Sequence, residues 1–297
     1  MNVINGKKLA EKISNYVNIK ISESKIKPHL VIFQVGNLDR SDIYIKHKIN
    51  SCKKLNINVT HLKFDVTCKT EELCSKIKEV NNNSIYTGCM IQLPVPSHMN
   101  LTEILETISP EKDVDCCSLQ NIGKLVADKP CYIPATSLGI LKIINEYNIK
   151  TKGKLCVIIG KSIIVGRTVQ ILLSNENTYA ATTILCDRYT ENMFNLIKIA
   201  DILIVAAGKH NLINDPSMIK ENCVIIDVGI NTIVINGKNR IRGDVNFQTL
   251  KNKAKLITPV PGGVGPVTVS CLMYNIYLSI LKQFSRAKEY SDFLNFS

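Results

Sequence analysis

A chain of 297 residues with 45% hydrophobic and 21% charged residues is too apolar to be disordered and long enough for about two domains, each with its own core. Its net charge of +12 rests on dispersed lysines, with no run longer than a pair, no Trp and few arginines. Nucleic-acid readers use arginine forks and stacking aromatics, so the charge reads as solvated surface with a steering role, and no nucleic-acid partner is expected.

In chain order, residues 6–20 predict a helix, and 29–35 (HLVIFQV) a buried strand, because β-branched and aromatic residues follow one another there. A helix is predicted over 41–55 with Ser41 as its N-cap, then a strand over 58–64 and a helix over 70–81. Residues 88–93 predict a strand stopped by Pro94 and Pro96, which cannot continue a central ladder, and 100–108 a helix. A second series begins after Pro134: helix 136–147, strand 154–159, a glycine loop, helix 169–174, strand 181–186, helix 191–200, and strands 202–206 and 223–228. A final helix starts near Val267. This alternation predicts an α/β fold whose second half is a doubly wound parallel sheet.

The 11 cysteines run from Cys52 to Cys271 without a C-x-x-C, and only Cys116 and Cys117 are adjacent. No zinc site or disulfide framework has that spacing, so no metal is expected and the thiols read as small, reduced, apolar residues. No apolar run approaches the roughly 18 to 20 residues of a membrane span, since 267–281 is interrupted by Ser270, Asn275 and Ser279. No membrane partner is therefore expected. The opening MNVINGKKLAEKI lacks the apolar stretch of a secretory leader. A cytoplasmic location is the expectation, with a short organelle signal as the alternative.

The glycine loop Gly160-Lys161-Ser162-Ile163-Ile164-Val165-Gly166 follows a predicted strand and opens a predicted helix. A pyrophosphate binds at such a place, because a helix N-terminus offers free N–H groups and a positive dipole end. Ser162 stands where the usual motif has its middle glycine, so a plain strand-to-helix turn is the alternative. The ribose of a dinucleotide is read at the end of the next strand, here Asp187-Arg188. Asp187 favours a free 2′-hydroxyl and hence NAD. Arg188 favours a 2′-phosphate and hence NADP, with Lys161 as a second cation.

Tyr44 and Lys48 lie four apart on one predicted helix and share a face. An amine that moves protons near neutral pH must have its pKa drawn below about 10.4, as burial does. With so many lysines in the chain, an ordinary solvated side chain is the competing reading. Gln92 ends a predicted strand, where open α/β sheets bind ligands, and its amide can hold both a substrate atom and a neighbouring lysine. A carboxylate in Lys112-Asp113-Val114-Asp115 can pair with the amino-pyrimidine edge of a pterin. An ordinary surface turn is the alternative for both.

Together these segments resemble the bifunctional methylenetetrahydrofolate dehydrogenase/cyclohydrolase family over nearly the whole chain. The resemblance is carried by Pro261-Gly262-Gly263-Val264-Gly265-Pro266-Val267-Thr268, Ser41-x-x-Tyr44-Ile45-x-x-Lys48, Ile91-Gln92-Leu93-Pro94-Val95-Pro96 and Glu111-Lys112-Asp113-Val114-Asp115. It extends to Asn121-Ile122-Gly123-Lys124-Leu125, Asp227-Val228-Gly229-Ile230-Asn231 and Gly243-Asp244-Val245, all in the family's order.

The resemblance implies a folate-binding catalytic domain over 1–134 with 267–297, a Rossmann-type domain over 135–266, a cleft at their junction and a homodimer. It implies Lys48 as the catalytic lysine, Gln92 orienting it and Tyr44 packing near the reacting carbon. Asp115 would bind the pterin, with Pro94, Pro261, Gly262 and Gly263 in the substrate site. Gly160, Lys161, Ser162, Gly166, Arg188 and Ile230 would hold NADP, with NAD as the alternative. The implied reaction oxidises 5,10-methylene-tetrahydrofolate and hydrolyses the product to 10-formyl-tetrahydrofolate.

Several positions depart from the family's pattern. Cys116 stands where the family has glycine and is expected to crowd the ligand, Ala135 replaces a cysteine, Lys161 an arginine, and Thr168 and His210 prolines. Asp187-Arg188 replaces His-Ser. The alternatives these leave are a dehydrogenase with weak cyclohydrolase and a non-catalytic folate-binding paralogue.

Overall fold

A computed structural model describes residues 2–36, 39–129, 131–235, 237–281 and 286–296, with the backbone alone for 39–44 and 286–287. The chain forms two compact units, Glu11–Ala135 with Val269–Phe293, and Thr136–Thr268 with Met1–Ala10 and Leu294–Ser297. They are called the first and second unit below.

Through the first unit run α1 (Gly6–Glu23) from Glu11 onward, β1 (His29–Val35), α2 (Asp39–Lys54), β2 (Asn58–Phe64), α3 (Thr70–Asn82), β3 (Gly88–Ile91), α4 (Leu101–Thr107) and α5 (Leu119–Val126). The strands form a parallel sheet in the order β2-β1-β3. Central β1 is buried from Leu30 to Val35, which is why its apolar residues run on without alternation. Outer β2 carries only exposed and half-buried residues.

The second unit contains α6 (Ala135–Glu146), β4 (Leu155–Ile159), a π-helical turn over Ile163–Arg167, α7 (Thr168–Ser174), β5 (Thr182–Cys186), α8 (Met193–Ile199), β6 (Ile202–Val205) and β7 (Val224–Asp227). An antiparallel hairpin, β8 (Asn231–Ile235) and β9 (Lys238–Arg242), follows, then α9 (Phe247–Leu250) and β10 (Leu256–Ile257). Its parallel sheet has the order β10-β7-β6-β4-β5. In chain order that is 5-4-3-1-2, a doubly wound sheet whose topological switch lies at β4. Val157, Leu203, Val205 and Ile225, all buried, anchor its core.

The last helices are α10 (Val264–Ser279) and α11 (Arg286–Asn295). Residues 269–293 of this segment belong to the first unit, where Tyr274 stacks on Phe293 with ring centroids 3.8 Å apart. The first ten residues belong to the second unit rather than to the first. The reason is backbone pairing beside β10, where Ile4 N donates to Ile257 O at 2.9 Å and Ile257 N donates to Asn2 O at 2.9 Å. Two local expectations also change. Helix α2 begins at Asp39, so Ser41 lies within it and is not its N-cap. Strand β3 ends at Ile91, one residue before Gln92.

Candidate active site

In the first unit the chemistry gathers at the carboxyl end of β1 and β3. Gln92 follows β3 directly, and its backbone N–H still donates to Phe33 O at 2.8 Å. Its side-chain Nε2 donates to Leu93 O at 2.8 Å, which fixes the amide with Oε1 outward. Lys48 Nζ donates to that Oε1 at 3.1 Å. Burial pulls the Lys48 amine below the usual lysine range, and the charge of Asp115 works against that fall. Burial likewise lifts the Asp115 carboxyl, and Lys48 opposes the lift. Each charge thus supports the other in a half-buried setting. Cys52, one turn beyond Lys48, has its thiol pushed up to about 12 by burial and stays a neutral apolar wall.

The turn carrying Asp115 is built by Asp113, a residue that spacing alone does not single out. This buried carboxylate accepts from Cys117 N at 3.0 Å, from Ser118 N at 2.8 Å and from Asn121 Nδ2 at 3.0 Å. Asn275 on α10 donates to Val114 O at 2.7 Å and to Ile133 O at 2.9 Å, so both sides of Asp115 are tied down. Asn275 in turn accepts from the Tyr290 hydroxyl at 2.7 Å. Cys116 adopts φ 54°, the left-handed region that suits glycine, and is fully buried. Its thiol donates to Tyr132 O at 3.0 Å. The side chain expected to crowd a ligand is therefore turned into the protein. Tyr44 has its backbone in α2 one turn before Lys48, and its side chain lies outside the described residues. Pro94 is exposed beyond a cis Leu93–Pro94 bond.

In the second unit the glycine loop leaves β4 at the switch point. Gly160 has φ 114°, and a β-carbon there would lie 2.2 Å from Ala206 O. A β-carbon on Gly166 would lie 1.7 Å from Gly160 O, so both glycines are required by close backbone packing. Lys161 and Ser162 are exposed on this loop. The π-helical turn that follows carries the helix start to Thr168, the position where the family pattern has proline. An exposed loop of this shape, entering a helix at the carboxyl end of the sheet, fits a pyrophosphate.

At the end of β5, Asp187 accepts from Tyr189 N at 3.0 Å and from Thr190 Oγ1 at 3.2 Å. Its other oxygen pairs with Lys161 Nζ at 3.1 Å. Arg188 is exposed, its guanidinium 4.8 Å from the centre of the Tyr189 ring. Ile230, 42% exposed between β7 and β8, presents an apolar side chain to solvent. Pro261 follows a cis Val260–Pro261 bond, with Gly262 at φ 110° and Gly263 buried before α10. The structure thus brings together Lys48, Gln92 and Asp115 in the first unit. It sets Gly160, Lys161, Ser162, Gly166 and Arg188 along one edge of the second.

Residues 4–115 match the family model of the tetrahydrofolate dehydrogenase/cyclohydrolase catalytic domain, and residues 134–284 match that of the NAD(P)-binding domain. The chain belongs to the tetrahydrofolate dehydrogenase/cyclohydrolase family. A relative named bifunctional protein FolD, from a Hydrogenobaculum species, is 41% identical over 277 residues, which is 93% of this chain and 97% of that protein. Among solved structures, the bifunctional FolD dehydrogenase/cyclohydrolase from Campylobacter jejuni is 35% identical with a TM-score of 0.89, covering 95% of this chain and 99% of that one. The Trypanosoma brucei dehydrogenase-cyclohydrolase, solved with NADP and an inhibitor, is 28% identical with a TM-score of 0.89, covering 94% of this chain and 97% of that one. As a member of this folate family the chain presents no group of His, Cys, Asp and Glu that could hold a metal ion among the described residues. No helix among them is long and apolar enough to cross a membrane.

Proposed function

We propose that the protein oxidises 5,10-methylene-tetrahydrofolate to 5,10-methenyl-tetrahydrofolate with NADP and hydrolyses the product to 10-formyl-tetrahydrofolate. The observation that carries this reading is the Lys48 amine held at 3.1 Å by the Gln92 carbonyl oxygen, its pKa lowered by burial, with Asp115 as its charged neighbour.

In this reading the first unit carries the folate chemistry. Asp115 pairs with the pterin edge, and Tyr44 packs beside the reacting carbon. Pro94 lines the substrate site in this unit. For the first step the protein sets distance and orientation, and bound NADP supplies the hydride acceptor. Gly160, Ser162 and Gly166 would receive its pyrophosphate, and Ile230 would pack against it. Lys161 and Arg188 would hold its 2′-phosphate. Asp187 is paired with Lys161 at 3.1 Å, so its negative charge beside that phosphate is offset in part. This supports NADP over NAD.

For the second step, water adds to the methenyl carbon and gives a proton to the neutral Lys48 amine. The bond from that carbon to N5 then opens as Lys48 returns that proton to N5, and the carbinol hydroxyl releases its own proton to solvent as it becomes the formyl oxygen. Gln92 keeps the amine aimed through this exchange, and burial, by lowering the Lys48 pKa, raises the share of amine that is unprotonated. We also infer a homodimer in the cytoplasm, checked by light scattering and by imaging of a tagged chain.

The test of the activity is a two-wavelength assay on purified protein given methylene-tetrahydrofolate and NADP. Reduced cofactor appearing with a methenyl signal that rises and then decays supports both activities. A folded protein giving neither signal, with NADP or with NAD, overturns the reading.

A further inference from the structure

Asp227 and Asp244 are buried carboxylates in the second unit, 2% and 0% exposed. Asp227 Oδ1 accepts from Gly229 N at 2.9 Å and Asp244 N at 3.0 Å, and its Oδ2 accepts from Val245 N at 3.0 Å. Asp244 Oδ2 accepts from Ala207 N at 2.7 Å and Gly208 N at 2.9 Å, and its Oδ1 from Asn231 Nδ2 at 2.8 Å. Two side chains therefore tie together the loop after β6, the loop after β7 and the segment after β9. The fit leaves no slack, because a β-carbon on Gly229 would lie 2.2 Å from the Asp244 carboxylate and one on Gly243 would lie 1.8 Å from Asp227 Oδ2.

The position of this platform says what it is for. Strand β6 neighbours β4, and Ala206 packs against Gly160 of the glycine loop. A dinucleotide with its pyrophosphate on that loop would have its adenosine ribose toward the end of β5, where Asp187 and Arg188 stand. Its other half would then lie toward β6 and β7, on the side of the platform, where Ile230 is exposed. We propose that Asp227 and Asp244 are positioning residues for the dehydrogenase step, holding the backbone surface that receives the nicotinamide half of the cofactor. This rests on the dehydrogenase/cyclohydrolase reading above and adds to it. Backbone N–H groups held by carboxylates make strong charge-assisted bonds, so the surface is rigid before the cofactor arrives.

The test uses full-length Asp244→Ala and Asp244→Asn at pH 8, above the value of about 7 to which burial raises Asp227. Alanine frees the Ala207 and Gly208 N–H groups. Asparagine keeps one oxygen for them and can donate to a turned Asn231 amide. Displacement of a reacting group by about an ångström can cost on the order of 100-fold, so Asp244→Ala should lower dehydrogenase kcat/KM for NADP at least about tenfold. Inhibition by 2′,5′-ADP, which probes only the adenosine half, should stay within about twofold, as should hydrolysis of added methenyl-tetrahydrofolate. Asp244→Asn should recover most of the loss. Unchanged dehydrogenase in Asp244→Ala overturns the proposal. A parallel fall in hydrolysis and 2′,5′-ADP binding also overturns it, because that marks general unfolding. A wild-type protein without either activity refutes the underlying reading instead.

Discussion

Replacing Gln92 by methionine removes the oxygen that accepts from Lys48 Nζ at 3.1 Å and keeps a side chain of similar length. That oxygen stabilises the ammonium form, so its loss drives the Lys48 pKa further down from a value burial already lowers. A hydrogen bond to a charged group contributes about 1.5 to 3 kcal/mol, and one pKa unit corresponds to about 1.4 kcal/mol. Lys48 is half-buried, so water replaces part of the lost bond and a net shift of about one unit follows. The acid limb of the pH dependence of kcat/KM for methenyl-tetrahydrofolate hydrolysis reports Lys48 deprotonation in the free enzyme. In Gln92→Met this limb should move about one unit to lower pH, while the plateau falls about tenfold or more as the amine loses its aim. Stopped-flow decay of methenyl absorbance across pH 5 to 9 measures both. A limb that stays in place, or moves upward, refutes the claim that Gln92 acts on the Lys48 proton.

Cys116→Gly should be more stable to urea than Cys116→Ala, because φ 54° costs a residue with a β-carbon roughly 1 to 2 kcal/mol. Circular dichroism melts of the two variants check this, and the usual order, with alanine above glycine, would show that the backbone there is unstrained. Asp113→Ala strips three donors of their acceptor and should raise the folate KM of both activities in steady-state assays, whereas a change confined to NADP would contradict its place beneath Asp115. Asp187→Ser releases Lys161 and removes a negative charge, so the kcat/KM ratio of NADP to NAD should rise by roughly tenfold. An unchanged or lower ratio in paired kinetic runs would show that Asp187 does not govern cofactor choice.

Where burial is continuous, the elements are legible in the sequence. Strand β1 falls on 29–35 as read, since its buried apolar run leaves few other folds for it, and the exposed or half-buried β2 falls on 58–64 beside it. The β8–β9 hairpin is not predicted by periodicity because its residues are exposed or half-buried and show no alternation. Its one sequence signal is Asn236-Gly237, a common two-residue hairpin turn. Helix α5 is announced by Ser118, whose side chain accepts from Asn121 N, but eight residues carry too little period to be read. Strand β10 spans only Leu256–Ile257 and forms by pairing with β7.

In the site, Lys48 and Gln92 are separated by 44 positions, and their meeting depends on β3 ending beside β1. Motif order points to both residues, but no local rule pairs them. The role of Asp113 is hidden for a related reason. A carboxylate at a turn looks solvated until the fold surrounds it with backbone N–H donors.

The central claim, that Lys48 moves the proton of ring opening, is tested most directly by Lys48→Met in single-turnover hydrolysis of methenyl-tetrahydrofolate, with folate binding followed in parallel by calorimetry. The account predicts decay at the uncatalysed rate in a variant that still binds folate. Decay at the wild-type rate by a folded, folate-bound Lys48→Met protein would contradict it.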